Sequence, residues 1–266
     1  MDAAELNKNV RVDVPILGDL RMTLEQLLPL VDSASHAEWI EHIDQGRAES
    51  RARDIIYRPE GDTLPAPRVI NAIWEATKGE AIVVTDVGQQ QMWSAQYYHV
   101  DEPRTFISSG GLGTMGYGLP AAIGAQIARP DKEVWVIAGD GGFQMTFQEL
   151  ATMVQEQLPL RIAVINNGHL GMVRQWQEFF FDRRYEATPL LNPDFVKIAE
   201  AYGVRAWRAT NCQESREAIA AARQHSGPAL IEFQVVQMGE EGCVYPMVPA
   251  GAALDEMIRR PAASEG

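Results

Sequence analysis

The chain has 266 residues, 46% of them apolar and 22% charged, with a formal net charge of −13. That length suits one large or two modest globular domains with a sizeable core. The acidic balance argues against nucleic acid and anionic membrane surfaces as partners, and no apolar run approaches the length of a membrane span.

The N-terminus, MDAAELNKN, reads as neither a signal nor a transit peptide, so a cytoplasmic protein is expected. Residues 1–20 are expected to be mostly extended, with Val10 to Leu17 alternating apolar and polar. Thr23-x-x-Gln26 predicts a helix to about Ser33. Ser35-x-x-Glu38 predicts another, with Trp39, Ile43 and later Ile55 on its apolar side and Glu41, Asp44 and Arg47 on solvated faces. Tyr57 to Pro67, punctuated by proline and glycine, reads as a linker and places a domain boundary near residue 60, giving 1–60 and 61–266.

From there the pattern alternates. A helix (Arg68–Thr77) precedes a strand (Ala81–Thr85) that stops at Asp86-Val87-Gly88, and a short helix runs through Gln91-Met92-Trp93. The glycine-rich Gly110–Gly116 leads into an apolar helix to about Arg129. An apolar strand, Val134–Ala138, stops at Gly139-Asp140-Gly141-Gly142, and Thr146-x-x-Glu149 predicts the start of a helix by a capping box. The next strand, Arg161–Ile165, stops at Asn166-Asn167. An amphipathic helix then carries Met172, Trp176, Phe179 and Phe180, and Asn192-Pro193 opens another with Pro at its first position. A strand (Val204–Trp207), a helix (Glu214–Gln224), a strand (Leu230–Val236) and a short helix near Leu254–Arg259 complete the chain. The fold class is α/β: an open parallel sheet of five or six strands with helices on both faces, preceded by a short helical and extended segment.

In such sheets ligands bind at the carboxyl ends of the strands, where this pattern puts Asp140 and Asn167. A carboxylate and an amide oxygen are hard donors that suit Mg2+, which is usually held by one or two protein oxygens together with phosphate oxygens. Glycines beside Asp140 let backbone N–H groups approach a diphosphate near a helix N-terminus. GDG by itself reads equally well as a tight turn with a surface Asp; the double Asn ending the next strand favours a Mg2+-diphosphate site. Cys212 and Cys243 lack metal-ligand spacing and are expected to be idle or buried thiols, and the five histidines include no zinc signature.

GDG followed at just under thirty residues by NN resembles the thiamine diphosphate motif. The surroundings resemble the catalytic subunit of acetolactate (acetohydroxyacid) synthase, in VGQQQMW (Val87–Trp93), SGGLGTMGYGLPAAIGA (Ser109–Ala125), GDGGFQMTFQEL (Gly139–Leu150), NNGHLGMVRQWQ (Asn166–Gln177) and VYPMVPAGAALDEM (Val244–Met257). The resemblance implies a ThDP-binding fold over 61–266, and a C-terminal remnant of an FAD-type middle domain, with its linker, over 1–60. It implies Mg2+ on Asp140, Asn167 and the backbone carbonyl of His169. The cofactor would be held by the turn Val87-Gly88-Gln89-Gln90, by Gly113 and Met115, by Gly139, Gly141 and Gly142, and by the run Leu170-Gly171-Met172-Val173. Met115 would bend the cofactor into a V shape, and Met172 and Trp176 would line the substrate pocket, Trp176 favouring the larger second keto acid. Periodicity alone would make Met115, Met172 and Trp176 core filler. The family usually has His where this chain has Gln90, which can donate a hydrogen bond but cannot carry a proton.

The activity implied is that of a transferase in branched-chain amino-acid biosynthesis, joining pyruvate after decarboxylation to pyruvate or 2-ketobutyrate. A ThDP-dependent decarboxylase or oxidase, or a non-catalytic assembly module, are the alternatives. No catalytic residue is assigned. The family's activating Glu lies on a separate pyrimidine-binding domain, which these residues are expected to lack. The chain is therefore expected to be inactive alone and to act in a homo-oligomer or with a chain carrying that domain. A regulatory subunit is a further implied partner. FAD belongs to the complete family enzyme, and its site is expected to be mostly missing here.

Overall fold

A computed structural model describes residues 2–237, 239–249, 252 and 256–261. The chain divides into two compact units, residues 1–50 and 51–266.

In the first unit, Ala3–Glu5 form a 3-10 turn, and Val10 to Leu17, with bends at Val10, Asp13 and Val14, form no strand among the described residues. Helix α1 spans Leu20–Leu27, and its cap is Asp19, not Thr23: the Asp19 carboxylate accepts from the Met22 N–H at 3.1 Å. Asp19 is extended, as an N-cap must be, whereas Thr23 already lies inside the helix and turns its hydroxyl back to the Asp19 carbonyl. Helix α2 spans Ala37–Arg53. The expected apolar side is not buried, since Trp39 is 64% and Ile43 37% exposed. Ile55 lies beyond that helix, in a 3-10 turn (Ile55–Tyr57) started by Asp54, whose side chain accepts from the Ile56 N–H.

The second unit is a six-stranded sheet in which every pairing is parallel, in the order β2-β1-β3-β4-β6-β5. Its strands are β1 (Ile82–Thr85), β2 (Phe106–Ser108), β3 (Val134–Gly139), β4 (Arg161–Asn166), β5 (Arg205–Ala209) and β6 (Ala229–Gln234). Before and between them run α3 (Ala66–Thr77), α4 (Gln89–Tyr97), α5 (Gly118–Ala128), α6 (Asp140–Thr146), α7 (Leu150–Gln155), α8 (Gly171–Phe180), α9 (Phe195–Ala201) and α10 (Cys212–Gln224). Alternate strand residues feed two cores. Val83, Trp135, Ile137 and Ile231 pack with Val69, Ile73, Trp93 and Ile219 from α3, α4 and α10. Ile82, Val136, Ile162 and Leu230 pack with Leu119, Phe143, Met153 and Phe195 from α5, α6, α7 and α9. Both faces are covered, so the strands read as continuous apolar runs.

The chain leaves β1 toward β2 on one side, then returns to β3 on the other. The crevice between the carboxyl ends of β1 and β3 is therefore the topological switch point, where open sheets bind ligands. No helix among the described residues is long and apolar enough to cross a membrane.

Four local features differ from the sequence reading. The capping box at Thr146-x-x-Glu149 does not form: α6 begins at Asp140, directly off the strand, and although a 3-10 turn (Phe147–Glu149) follows Thr146, the buried Thr146 hydroxyl has no hydrogen-bond partner among the described residues. The helix can start there because Gly142 lets it press on β1; a Cβ at that position would lie 2.1 Å from Asp86 Oδ1. The helix expected at Asn192-Pro193 starts at Phe195, because Asp194 caps it by accepting from the Lys197 N–H. The edge strand β2 was not expected; three residues are too few to show a period. Of the helix expected at Leu254–Arg259, Leu254 and Asp255 lie outside the described residues. Ile258 forms an antiparallel bridge with Met247 through two backbone hydrogen bonds, not a helical turn.

Candidate functional site

Three strand ends converge on the switch point. After β1 comes the turn Val87-Gly88-Gln89-Gln90, after β3 the segment Gly139–Gly142, and after β4 the loop from Asn167 into the first turn of α8. Together they line a crevice of about 450 Å3 including its open mouth, in the range of small-molecule clefts. Gly88 turns the chain at φ 144°, a region other residues avoid, and a Cβ there would strike Gln90 Oε1 at 2.7 Å.

Asp140 sits on the floor, 2% exposed. Its Oδ1 accepts from the Gly141 N–H at 3.0 Å, and its Oδ2 from the Gly168 N–H at 2.8 Å and from Asn192 Nδ2 at 2.7 Å. Burial pushes its carboxyl above the ordinary value, and the bonds from Asn192, Gly141 and Gly168 pull it back. Asn167 is also buried; its Oδ1 accepts from the His169 N–H at 3.1 Å and its Nδ2 donates to Gln89 Oε1 at 3.0 Å. The His169 ring is turned to the Asn167 carbonyl, Nδ1 to oxygen 3.0 Å, while the His169 carbonyl accepts no hydrogen bond among the described residues.

Neighbouring glutamines divide the work. Gln89 Nε2 is spent on Gln175 Oε1 and the Gly242 carbonyl, at 2.8 and 2.9 Å, so its side chain holds the crevice together. Gln90 also lines the crevice at 5% exposure, but its Nε2 donates to no acceptor among the described residues. An unpaired buried donor is costly, and a site that binds an acceptor accounts for it.

Residues 86–233 match the family described as thiamine pyrophosphate enzyme, C-terminal TPP binding domain. The chain belongs to this family. It is 43% identical over 270 residues to an acetolactate synthase of Mycobacterium leprae, a span that covers 97% of the chain and 42% of the relative. It is 44% identical over 264 residues to the acetolactate synthase large subunit of Corynebacterium glutamicum, covering 95% and 41%. It is 43% identical over 260 residues to the acetolactate synthase large subunit of Lactococcus lactis, covering 97% and 44%. The chain thus spans about two-fifths of the length of these relatives.

A diphosphate fits the crevice of this thiamine diphosphate-binding domain. The free amide of Gln90 faces the space beside the backbone of Gly139, Gly141 and Gly142. The described residues contain no group of three or more His, Cys, Asp or Glu placed to hold a metal. A cation here would rest on one carboxylate, one amide oxygen and one backbone carbonyl, completed by ligand oxygens; that is the pattern of Mg2+ with a phosphate ester. Of the residues expected in the site, Leu170, Gly171, Met172, Val173 and Met115 line the crevice. Two do not: Gly113 sits in the glycine-rich loop, donating to the Ser109 carbonyl, and Trp176 stacks edge-on against Phe180 with centroids 4.9 Å apart.

Sequence reasoning missed three side chains that shape the site. Asp86, 1% exposed, accepts from the Gly116 and Gly118 N–H groups at 3.1 and 2.8 Å and so fastens the loop that carries Met115. Gln175 joins Gln89 to both backbone groups of Val244. Asn192 holds Asp140 from a loop far along the chain. Asp86 and Gln175 carry a sequence signal, a polar residue at a strand end and one within an amphipathic helix, whereas Asn192 carries none.

Proposed function

We propose that this chain is the Mg2+- and thiamine diphosphate-binding half of an acetolactate synthase, which joins decarboxylated pyruvate to a second 2-keto acid, pyruvate or 2-ketobutyrate. The observation that carries the reading is the unpaired Gln90 amide beside the buried Asp140 and Asn167, at the switch point of the sheet. When bound, thiamine diphosphate supplies the electron sink for carbon–carbon bond cleavage. Asp140 Oδ1, Asn167 Oδ1 and the His169 carbonyl would hold the metal, and Gln90 would donate to the diphosphate. Met115 would support the cofactor, and Met172 would wall the substrate side. Trp176, one helical turn beyond Met172, would bias the second substrate toward 2-ketobutyrate.

The assignment of 1–60 to a middle-domain remnant belongs to the same reading, as do FAD in the complete enzyme and a regulatory subunit. The setting would be branched-chain amino-acid biosynthesis in the cytoplasm. Val173, on the crevice wall, is 50% exposed, and Leu112, in the glycine-rich loop, is 95% exposed. Apolar residues placed so suit cover by another chain, in a homo-oligomer or from one carrying the pyrimidine-binding domain. Calorimetric titration of ThDP with and without Mg2+ tests the core of the proposal. Affinity should require Mg2+ and vanish in Asp140→Ala; binding that ignores either change would sink it.

A further inference from the structure

A continuous line of hydrogen bonds joins Asp140 to the outer flank of the sheet. Glu232, on β6 and 2% exposed, accepts from Asn166 Nδ2 at 2.7 Å through Oε1 and from Arg208 Nε at 2.8 Å through Oε2. Asn166 Oδ1 accepts from the Gly168 N–H at 3.1 Å and from Asn192 Nδ2 at 2.8 Å. Asn192 Nδ2 gives its other hydrogen to Asp140 Oδ2, and its Oδ1 accepts from Gln144 Nε2 at 2.9 Å. Neither asparagine amide can be flipped, because each turns its Nδ2 to a carboxylate, which only accepts.

We infer that Glu232 is a positioning residue for the metal ligand Asp140, acting through the amides of Asn166 and Asn192. Glu232 draws the NH2 of Asn166 toward itself, which leaves the Asn166 carbonyl facing Asn192. Asn192 must then present its NH2 to both Asn166 and Asp140. Asp140 Oδ2 is thereby met by two donors, the Gly168 N–H and Asn192, and is committed. Oδ1, with the Gly141 N–H alone, is the oxygen left for the cation. A flipped Asn192 would set its carbonyl against that carboxylate and turn it out of line. Ligating carboxylates are commonly oriented by such outer hydrogen bonds, whose loss typically costs about 10- to 100-fold in metal affinity. The inference rests on the Mg2+ site proposed above, and the experiment separates the two.

Mg2+ is titrated calorimetrically into the 266-residue chain with ThDP at a fixed excess, and the unfolding midpoint of each variant is recorded without metal. Asp140→Ala should abolish Mg2+ binding. Glu232→Gln, nearly isosteric but able to offer a donor, should weaken Mg2+ binding about 10- to 100-fold. Arg208→Gln, which breaks the ion pair but leaves the carboxylate, should stay within about twofold of wild type, far below that loss. The pair Glu232→Gln with Arg208→Gln should regain most of the affinity, because the new amide can then donate to residue 208 and accept from Asn166. Loss of an ion pair as such would give no rescue. Asn192→Ala should match Glu232→Gln and carries the test if the latter does not fold. Unchanged affinity in Glu232→Gln or Asn192→Ala, equal damage from Arg208→Gln, or absence of rescue would each overturn the inference. Retained Mg2+ binding in Asp140→Ala would overturn the metal site itself, and the inference with it.

Discussion

Asn167 Nδ2 donates to Gln89 Oε1 at 3.0 Å, tying the loop after β4 to the first turn of α4 across the mouth of the switch point. Gln89 also donates to Gln175 and Gly242, so a single amide joins four segments. Replacing it by Leu leaves Asn167 Nδ2 and the Gly242 carbonyl buried without that partner. Each such group costs about 1–3 kcal/mol. Gln89→Leu should therefore lower the denaturant midpoint by an amount equivalent to at least about 1 kcal/mol and also weaken ThDP binding. An unchanged midpoint would mean that the amide bridge contributes nothing to the fold.

Gln90 next door should behave in the opposite way. Its Nε2 has no partner among the described residues, so Gln90→Leu strands no donor or acceptor on that side. Stability should hold or rise, while ThDP affinity falls about tenfold or more, the usual worth of a hydrogen bond to a charged group. Unfolding and ThDP titration on the same sample measure both. A loss of stability with ThDP affinity intact would place the Gln90 amide outside the diphosphate site.

The contrast between these glutamines marks how far the sequence could be read. Strands such as Val134–Ala138 and Arg161–Ile165 were legible because burial on both faces makes them unbroken apolar runs, and their ends located Asp140 and Asn167. The partners that hold these residues were not legible. Asn192 precedes a proline and looks like a helix start, yet Asp194 caps that helix and Asn192 turns to Asp140. Asp86 reads as a turn residue and instead anchors a loop from 30 positions on. The capping-box spacing misled at Thr23 because it recurs inside helices and the cap is decided by which residue is extended, whereas at Thr146 a 3-10 turn does start but the side chain makes no cap bond.

Both cysteines are buried in the second unit, and burial pushes their thiols up, Cys243 from 9.0 to about 11. Native Cys243 thus keeps its proton where an unfolded one has lost it. Its contribution to stability is complete below pH 9 and is lost as pH rises from 9 through about 11. Urea unfolding across that window should show a falling midpoint, shallower in Cys243→Ala. The thiols should also react slowly with alkylating reagents at neutral pH. Fast labelling of the native chain, or an equal slope in the variant, would contradict the buried placement.

These 266 residues by themselves should bind the cofactor without turning substrate over. Among the described residues, the crevice is lined by one carboxylate, Asp140, whose oxygens are taken by Gly141, Gly168 and Asn192 and, in the proposed site, by the metal. The other titratable side chain there, His169, has Nδ1 against the Asn167 carbonyl. Among the described residues no second carboxylate lines the crevice to move a proton to or from the cofactor, and positioned acid–base help is worth about 100- to 10,000-fold. The open mouth beside Val173 also admits water, which weakens every electrostatic contact inside. The measurement is acetolactate formation by the purified chain with saturating Mg2+, ThDP and pyruvate. Turnover of about one per second, at the low end of ordinary enzymes, would require a base from within this sequence and would refute a site completed by another domain. Activity that appears only when a pyrimidine-binding domain is added would support it.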